Sequence, residues 1–590
     1  MRCCALSFLS PTFLALAALL AVGACSEESR GAVGGSGGAG GSAGVRDSGL
    51  VPGDPNVLAL TSGLSVENGR FSTSDACAAC HDNAPNATAM RDEDDRAIAP
   101  YDLWQSSMMA NAARDPLWRA VVSAEIAATP RAAEAIEQKC NTCHSPMAGT
   151  DARLLDQPLP GMEVLVDGTE RMGLALDGVS CTLCHQIESN DLGTEASFSG
   201  GYDIAALGQA YGPHANPSAM PMERMSGFSP VQADHMLDSS LCATCHTLST
   251  DALSPEGEPT GGHVVEQGPY LEWEISDFAF NTSCQDCHLP QTSEDGVPIS
   301  TKIAHNPSGG DFPALEVRSP FGRHLLVGGN TLIPAILRDW ADLLNPLAAE
   351  SAFDATIAAA REQLAENTAR LTLTELDLIG NALSFTAGIE VLTGHKFPTG
   401  IPLRRAWLHT TVTDARGAVL FESGNWDQSG RLVDQRGAVL PSEELAGPLL
   451  PHIDRVRSPA SVPVYQGVLA DSDGAPTFLL MRGEGWVKDN RLLPAGFDRR
   501  AAAAAGIAPV GVDDDPNFVG GADTVSYEID APDALPPLTV EVELLYQPLS
   551  ARWAAELFGS GTAEALAFQV MYESADRSPE LIDRASAVVH

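Results

Sequence analysis

"CTLCHQIES", residues 181–189, sets Cys181 and Cys184 two residues apart with His185 directly after the second. The same arrangement occurs at "CAACH" (Cys77, Cys80, His81), "CNTCH" (Cys140, Cys143, His144), "CATCH" (Cys242, Cys245, His246) and "CQDCH" (Cys284, Cys287, His288). Of the 13 cysteines in the chain, ten sit in these five motifs. The other three, Cys3, Cys4 and Cys25, lie in or at the end of an apolar N-terminal stretch.

Paired cysteines alone also suit zinc or disulfides. Neither explains a histidine after every second cysteine. Two thiols at this spacing can each form a thioether with one vinyl group of a haem, and the adjoining histidine then meets the iron. The expected cofactors are therefore five covalent haem c groups, with His81, His144, His185, His246 and His288 as proximal ligands. First cysteines follow one another at 63, 41, 61 and 42 residues (140−77, 181−140, 242−181, 284−242). The alternation, with the similar "GVSCTLCHQ" and "NTSCQDCHLP", suggests a duplicated two-haem unit comprising 140–185 and 242–288.

Such attachment takes place outside the bacterial cytoplasm, and the N-terminus agrees. Arg2 precedes a mostly apolar run over residues 5–22, and small residues precede Cys25, which reads as a secretory signal (1–25). "AVGAC" resembles a bacterial lipoprotein box, which implies lipidation of Cys25. Ser26 after it points to the outer membrane, with the chain on the periplasmic or cell-surface side. Residues 26–56 are a Gly/Ser-rich tether. No later segment has a long uncharged apolar run, so membrane association is expected by lipid anchor only. Thirty-five Lys and Arg against 77 Asp and Glu give a formal charge of −42. That excludes nucleic acid as a partner and favours redox proteins with a basic docking face.

The expected fold class is multidomain: a mostly α, loop-rich pentahaem domain over 57–345, a helical connector over 346–374 and an all-β, sandwich-like domain over 375–590. Helical spacing of apolar residues in "DPLWRAVVSAEIAATPRAAEAIEQK" supports the first part, and in "AESAFDATIAAAREQLAENTARL" the connector. Alternation in "RRAWLHTTVTDARGAVLFESG" and "LTVEVELLYQPL" supports the last.

"WQSSMMANAARDPLW", "LCATCHTLST", "GPYLEWEISDF", "SCQDCHLP", "RHLLVGGN" and "GHKFPTGIPLRRAWLH" resemble the large bacterial group of multihaem c-type cytochromes. That group is loosely related to tetrahaem cytochromes and hydroxylamine oxidoreductases. The resemblance covers about residues 70–550. It implies His395 as a distal ligand reaching back from the β-region, and His324 is a second candidate. His235 is too close to Cys242 for its own haem and would cap a neighbour. His214, on a Pro-bounded turn, is a fourth candidate, with His305 and His263 in reserve. His409 reads as a strand residue, and His452 and His590 as surface. Relatives place a histidine where Met109 stands, so Met109, ahead of Met108, is the expected sixth ligand of the first haem. Methionine there raises the potential.

Asp513, Asp514, Asp515 and Asp523 form either a calcium site or a solvated acidic loop. Arg491, near Lys488 and Asp489, is a candidate to hold a haem propionate, and Arg404 and Arg405 are better placed for it. No Gly-x-Ser-x-Gly, phosphate loop, dinucleotide fingerprint or Cys-x-x-Cys-Lys variant is present. The expected function is electron transfer through the five haems in a respiratory or extracellular chain. The alternative is an oxidoreductase acting on a small nitrogen or sulfur compound at one open-site haem.

Overall fold

Each Cys-x-x-Cys-His motif closes a short helix. The helices are Ser74–His81, Ala133–His144, Cys181–Cys184, Ser239–His246 and Cys284–His288. Helical spacing places the two cysteines, three apart, on one face. Local sequence starts two of these turns. Asp238 accepts from Ser240 N, and Ser283 and Asp286 form a reciprocal capping box. The computed structural model describes residues 53–590 apart from 294 and 533. The expected signal, Cys25 and most of the tether lie outside the described residues.

Between the motif helices the front half is loops, short helices and small two-stranded sheets, such as Leu248–Leu253 against Pro259–Gln267. Helix Pro116–Ala128 is capped by Asp115, which accepts from Leu117 N and Trp118 N, with Pro116 in the first turn. Helix Glu350–Asn367 buries Phe353, Ile357, Ala360 and Leu364 on one stripe. The expected connector to 374 is too long, because a strand begins at Ala369. "LTLTELDLI" alternates with period two, and that pattern prevails over helical continuation.

Strands Ala369–Ile379, Ala382–Val391, Ala522–Asp530 and Arg455–Val456 form a four-stranded sheet. A seven-stranded sheet is built on Val464–Ala470, Arg405–Thr413, Leu538–Gln547 and Glu580–Val589, joined side by side. Inward residues of both sheets share one core that includes Phe385, Leu408, Tyr465, Tyr527, Val542 and Tyr546. Phe385 pairs with Tyr527 across neighbouring strands, and their rings stack 4.5 Å apart at 7°.

The region is not all-β. Helices Ala551–Gly559 and Ala563–Ser574 follow strand Leu538–Gln547. Phe568 and Met571 share a buried cluster with Leu117 and Val121 of the front half. Glu125 accepts a hydrogen bond from Leu480 N, and Arg482 donates to Ala128 O at 3.0 Å and Thr129 Oγ1 at 2.8 Å. The described residues accordingly belong to one compact unit, with the β-layers packed directly on the motif-bearing half. Among them no helix is long and apolar enough to cross a membrane.

Candidate haem-attachment sites

The ten motif cysteines are free, and only Cys287 is exposed. Thiols of different motifs lie close together: Cys77 beside Cys181, Cys143 beside Cys245, and Cys242 beside Cys284, while Cys184 lies near Cys245. Numbering the motifs 1 to 5 along the chain, spatial neighbours are 1 and 3, 3 and 4, 4 and 5, with 2 beside 4. Side chains fix these contacts. Asp177 accepts from Ser74 N at 2.8 Å and Ser74 Oγ at 2.7 Å, and also from Ser180, joining the starts of motif helices 1 and 3. Cys284 N donates to Ser239 Oγ at 3.0 Å, and Gln285 donates to Asp238 O at 2.8 Å, joining 4 and 5. Motif 4 thus touches 5 directly, whereas the thiols of 2 and 3 reach outward to other motifs.

Four of the five motif imidazoles are oriented by the main chain. Nδ1 of His81 lies 2.9 Å from Ile303 O, that of His144 2.9 Å from Ala112 O, that of His185 2.6 Å from Tyr211 O, and that of His288 2.8 Å from Val327 O. A proton on Nδ1, shared with a carbonyl, leaves Nε2 as the lone-pair nitrogen, which is the tautomer a metal needs. Burial keeps these rings neutral. It pushes His144 and His288 down to about 4 and lowers His81, His185 and His246 as well. His246 has no such carbonyl bond among the described residues. Trp118 stacks on His144 at 4.5 Å and 2°.

Two expected distal histidines face motif histidines. The ring centres of His185 and His324 are 6.5 Å apart at 24°, and those of His288 and His395 are 6.4 Å apart at 12°. Two imidazoles bonded on opposite sides of one metal ion, each at about 2.0–2.1 Å as histidine nitrogens are on zinc, place their ring centres about 6.3 Å apart. His324 Nδ1 lies 3.2 Å from Gly322 O and His395 Nδ1 2.9 Å from Lys396 O, so in these rings too Nε2 is the free nitrogen. Burial pushes His324 down to about 4. His395 reaches its place because strand Ala382–Val391 ends at the turn that carries it, with Gly394 close against Phe278.

The other candidates lie elsewhere. His214 is half-buried, and burial lowers its pKa. His235 sits edge-on to Tyr211 at 5.2 Å, with Nε2 2.8 Å from Ile187 O, which leaves only Nδ1 free. Both nitrogens of buried His305 are engaged, Nδ1 at 2.7 Å from Asn306 O and Nε2 at 2.6 Å from Asp82 Oδ1. His263 is exposed on its strand. His409 bridges Glu543 and Glu422 on strand Arg405–Thr413. Met109 packs in a cluster with Cys140, Cys184 and Cys245, not with the cysteines of the first motif as expected, and Met108 packs in a different cluster.

Several expected side chains are spent on the β-core. Arg405 pairs with Glu443 at 2.6 Å, both buried. Lys488 donates to Leu450 O and Val464 O. Asp489 takes Lys396 Nζ at 2.6 Å and Arg491 at 2.8 Å, and Arg491 also reaches Glu272 at 3.1 Å. These groups are already paired within the β-core. Arg404 lies near His246 and Tyr546. Asp513 and Asp514 are exposed and stand apart from the buried pair Asp515 and Asp523. His452, expected at the surface, is enclosed: its Nε2 lies 2.8 Å from Asp515 and its Nδ1 3.0 Å from the Asn490 amide. Tyr465 donates to Asp523 at 2.6 Å, so this cluster satisfies itself.

Sequence reading missed Arg114 and Trp118. Arg114 is 1% exposed, and its Nε and Nη1 have no partner. Burial pulls it down to about 10. Trp118 Nε1 is also unpartnered. The available signal was an arginine in the largely apolar "MMANAARDPLW", whose adjoining carboxylate, Asp115, is taken up in capping the next helix.

No protein-family model and no curated protein matches the chain. Among solved structures it is similar to the crystal structure of a penta-heme cytochrome c552 from Thermochromatium tepidum. The TM-score is 0.47 and the identity 17%, over 88% of this chain and 99% of that one.

Proposed function

We propose that the chain is an exported, lipid-anchored multihaem c-type cytochrome that carries electrons in a respiratory or extracellular chain. The observation that carries this reading is the pair of facing imidazole couples, His185 with His324 and His288 with His395, at the separation one shared metal ion requires. Zinc-thiolate or disulfide readings give no reason for a distant histidine to stop opposite a motif histidine with its Nδ1 already engaged.

The ten cysteines hold the five haems, and the motif histidines ligate them from one side. His324 and His395 supply the second ligand at motifs 3 and 5. Arg114, with its unpartnered nitrogens, and Arg404, beside His246, are the cations for propionates. Each haem supplies one-electron chemistry at its iron. The chain's residues set spacing, ligand orientation and exclusion of water. The thiol contacts place motifs 1, 3, 4 and 5 in a row with motif 2 as a branch at 4.

Protein purified from an exporting host should weigh five haems more than the signal-processed, lipidated chain. Its alkaline pyridine spectrum should give five haem c per chain. Colourless protein of polypeptide mass sinks the reading.

One observation favours an open site. His81, His144 and His246 have no facing imidazole among the described residues. His305, His409 and His452 have both ring nitrogens engaged. The histidines left, His214, His235, His263 and His590, include two on the surface. At least one iron then takes Met109 or another non-histidine ligand, or stays open to a small nitrogen or sulfur compound. Carbon monoxide added to reduced protein separates these: a Soret shift marks a vacant or weakly held iron, and no shift leaves electron transfer alone.

A further inference from the structure

From Met225 to Thr301 the chain contains no lysine or arginine and 12 aspartates and glutamates. This stretch carries motifs 4 and 5 entire. In a chain with 35 basic residues, a gap of that length gives the stretch an acidic excess, met from elsewhere in the chain by Arg491 at Glu272 and Arg404 near His246. The folded chain focuses it. Motif helix 5 carries Cys287, the one exposed attachment cysteine, beside exposed Asp286. Gln285 ties that helix to the Met236–Asp238 segment, which adds exposed Asp238. On the N-terminal side, the 3-10 turn Asp277–Phe280 ends in Phe280, 86% exposed, the most exposed of the large apolar side chains among the described residues. The turn is not loose: Ser276 caps it, and Trp273 Nε1 donates to Thr282 O at 2.8 Å. Arg323 contacts the carbonyl of Thr292.

A rigid turn that holds a phenylalanine in water has no folding benefit, because burial is where an aromatic ring contributes. An apolar centre ringed by charges of one sign, beside a reachable cofactor edge, has the anatomy of a protein docking site. We propose that the face around motif 5, centred on Phe280 and rimmed by Asp238, Asp277 and Asp286, docks a redox protein whose own cofactor edge is ringed with lysines. This rests on the haem-bearing reading above and assigns the exchange point to the fifth site.

The probes are two oxidised monohaem cytochromes c, one lysine-rimmed and one acidic, titrated calorimetrically into the oxidised pentahaem protein so that no electron flows. The lysine-rimmed probe should bind at low salt and weaken by about tenfold or more on going to ~0.15 M ionic strength, where screening reaches ~8 Å. The acidic probe should not bind. Phe280→Ala should weaken the basic probe about tenfold at every salt concentration, as loss of an interface anchor does. Asp238→Asn with Asp286→Asn should mainly flatten the salt dependence. Equal affinity of wild type and Phe280→Ala overturns the proposal, as does binding of the acidic probe or no binding of the basic one. Haem content and the dithionite-reduced spectrum, read on the same samples, keep this separate from the parent reading. Five haems with an unmoved affinity sink the docking face alone, and absent haem sinks both.

Discussion

The two halves of the molecule build their interiors from different materials. Of the 12 largest side chains that are fully buried, eight lie beyond residue 368, among them Trp407, Tyr465, Tyr527, Tyr546 and Phe385. The four before it are Leu58, Phe71, Arg114 and Phe353, and one of those is a guanidinium with unpartnered nitrogens. The β-layers supply their own large apolar groups. The front half relies more on leucine, isoleucine, valine, alanine and methionine, with Phe71, Trp118 and Tyr202 among its larger members, and under the proposed function the haems add further bulk there. A segment can then be well folded and still draw part of its core from a cofactor.

The largest effect should follow from withholding the cofactor. With all ten motif cysteines changed to serine, residues 57–345 should become sensitive to limited proteolysis while the sheets beyond Ala369 stay protected. Mass mapping of the fragments checks this. Equal protection of both halves erases the contrast.

The next test acts inside the β-half. Lys396, buried, pairs with buried Asp489 at 2.6 Å, and removing one partner of a buried pair costs about 3–5 kcal/mol. Lys396→Met should lower the denaturation midpoint accordingly while haem content stays at five. The neighbouring Lys and Arg cations hold Asp489 well below the usual carboxylate range. Its contribution is thus present above that range and is lost only in strong acid.

His395→Met sharpens the contrast from the other side, because one residue of the β-half acts on a front-half site. The expected outcome is one haem shifted upward in potential by on the order of 0.1 V, with four unmoved, in a spectroelectrochemical titration. The same substitution at His409, held by Glu543 and Glu422, should move none.

The smallest effect concerns the join. Burial pushes Glu125 up to about 8 from an ordinary carboxylate value near 4.5. A raised folded-state value means the contribution is full below about 4.5 and is lost as pH rises through about 8. Thermal midpoints should fall between these values, by up to about 1.4 kcal/mol per pH unit. Glu125→Gln should flatten the slope.

Much of this layout is legible in the chain. The motif helices follow from spacing that allows no other face, and strand alternation marks the β-layers. His324 and His395 were singled out in the stretches "RHLLVGGN" and "GHKFPTG", the latter through its resemblance to multihaem cytochromes, and each stands opposite a motif histidine. What escaped depends on partners distant in sequence. Nothing local distinguishes Arg405, locked to Glu443, from Arg404 beside it, and nothing local tells that Asp515 encloses His452. The order of sites in space, with Cys77 meeting Cys181 before any second-motif thiol, is likewise a tertiary fact.

The opposed imidazoles have a mechanical consequence. Thioethers within a motif join residues three apart and staple almost nothing. Ligation by His395 closes a loop of 107 residues (395−288), and by His324 one of 139 (324−185). A crosslink over such a span restrains the denatured chain by about 4–5 kcal/mol, on the measure used for disulfides. Under the proposed ligation the irons act as the molecule's long-range rivets, and their grip changes with oxidation state. The fold's resistance to unfolding then becomes a quantity set by how many electrons it carries.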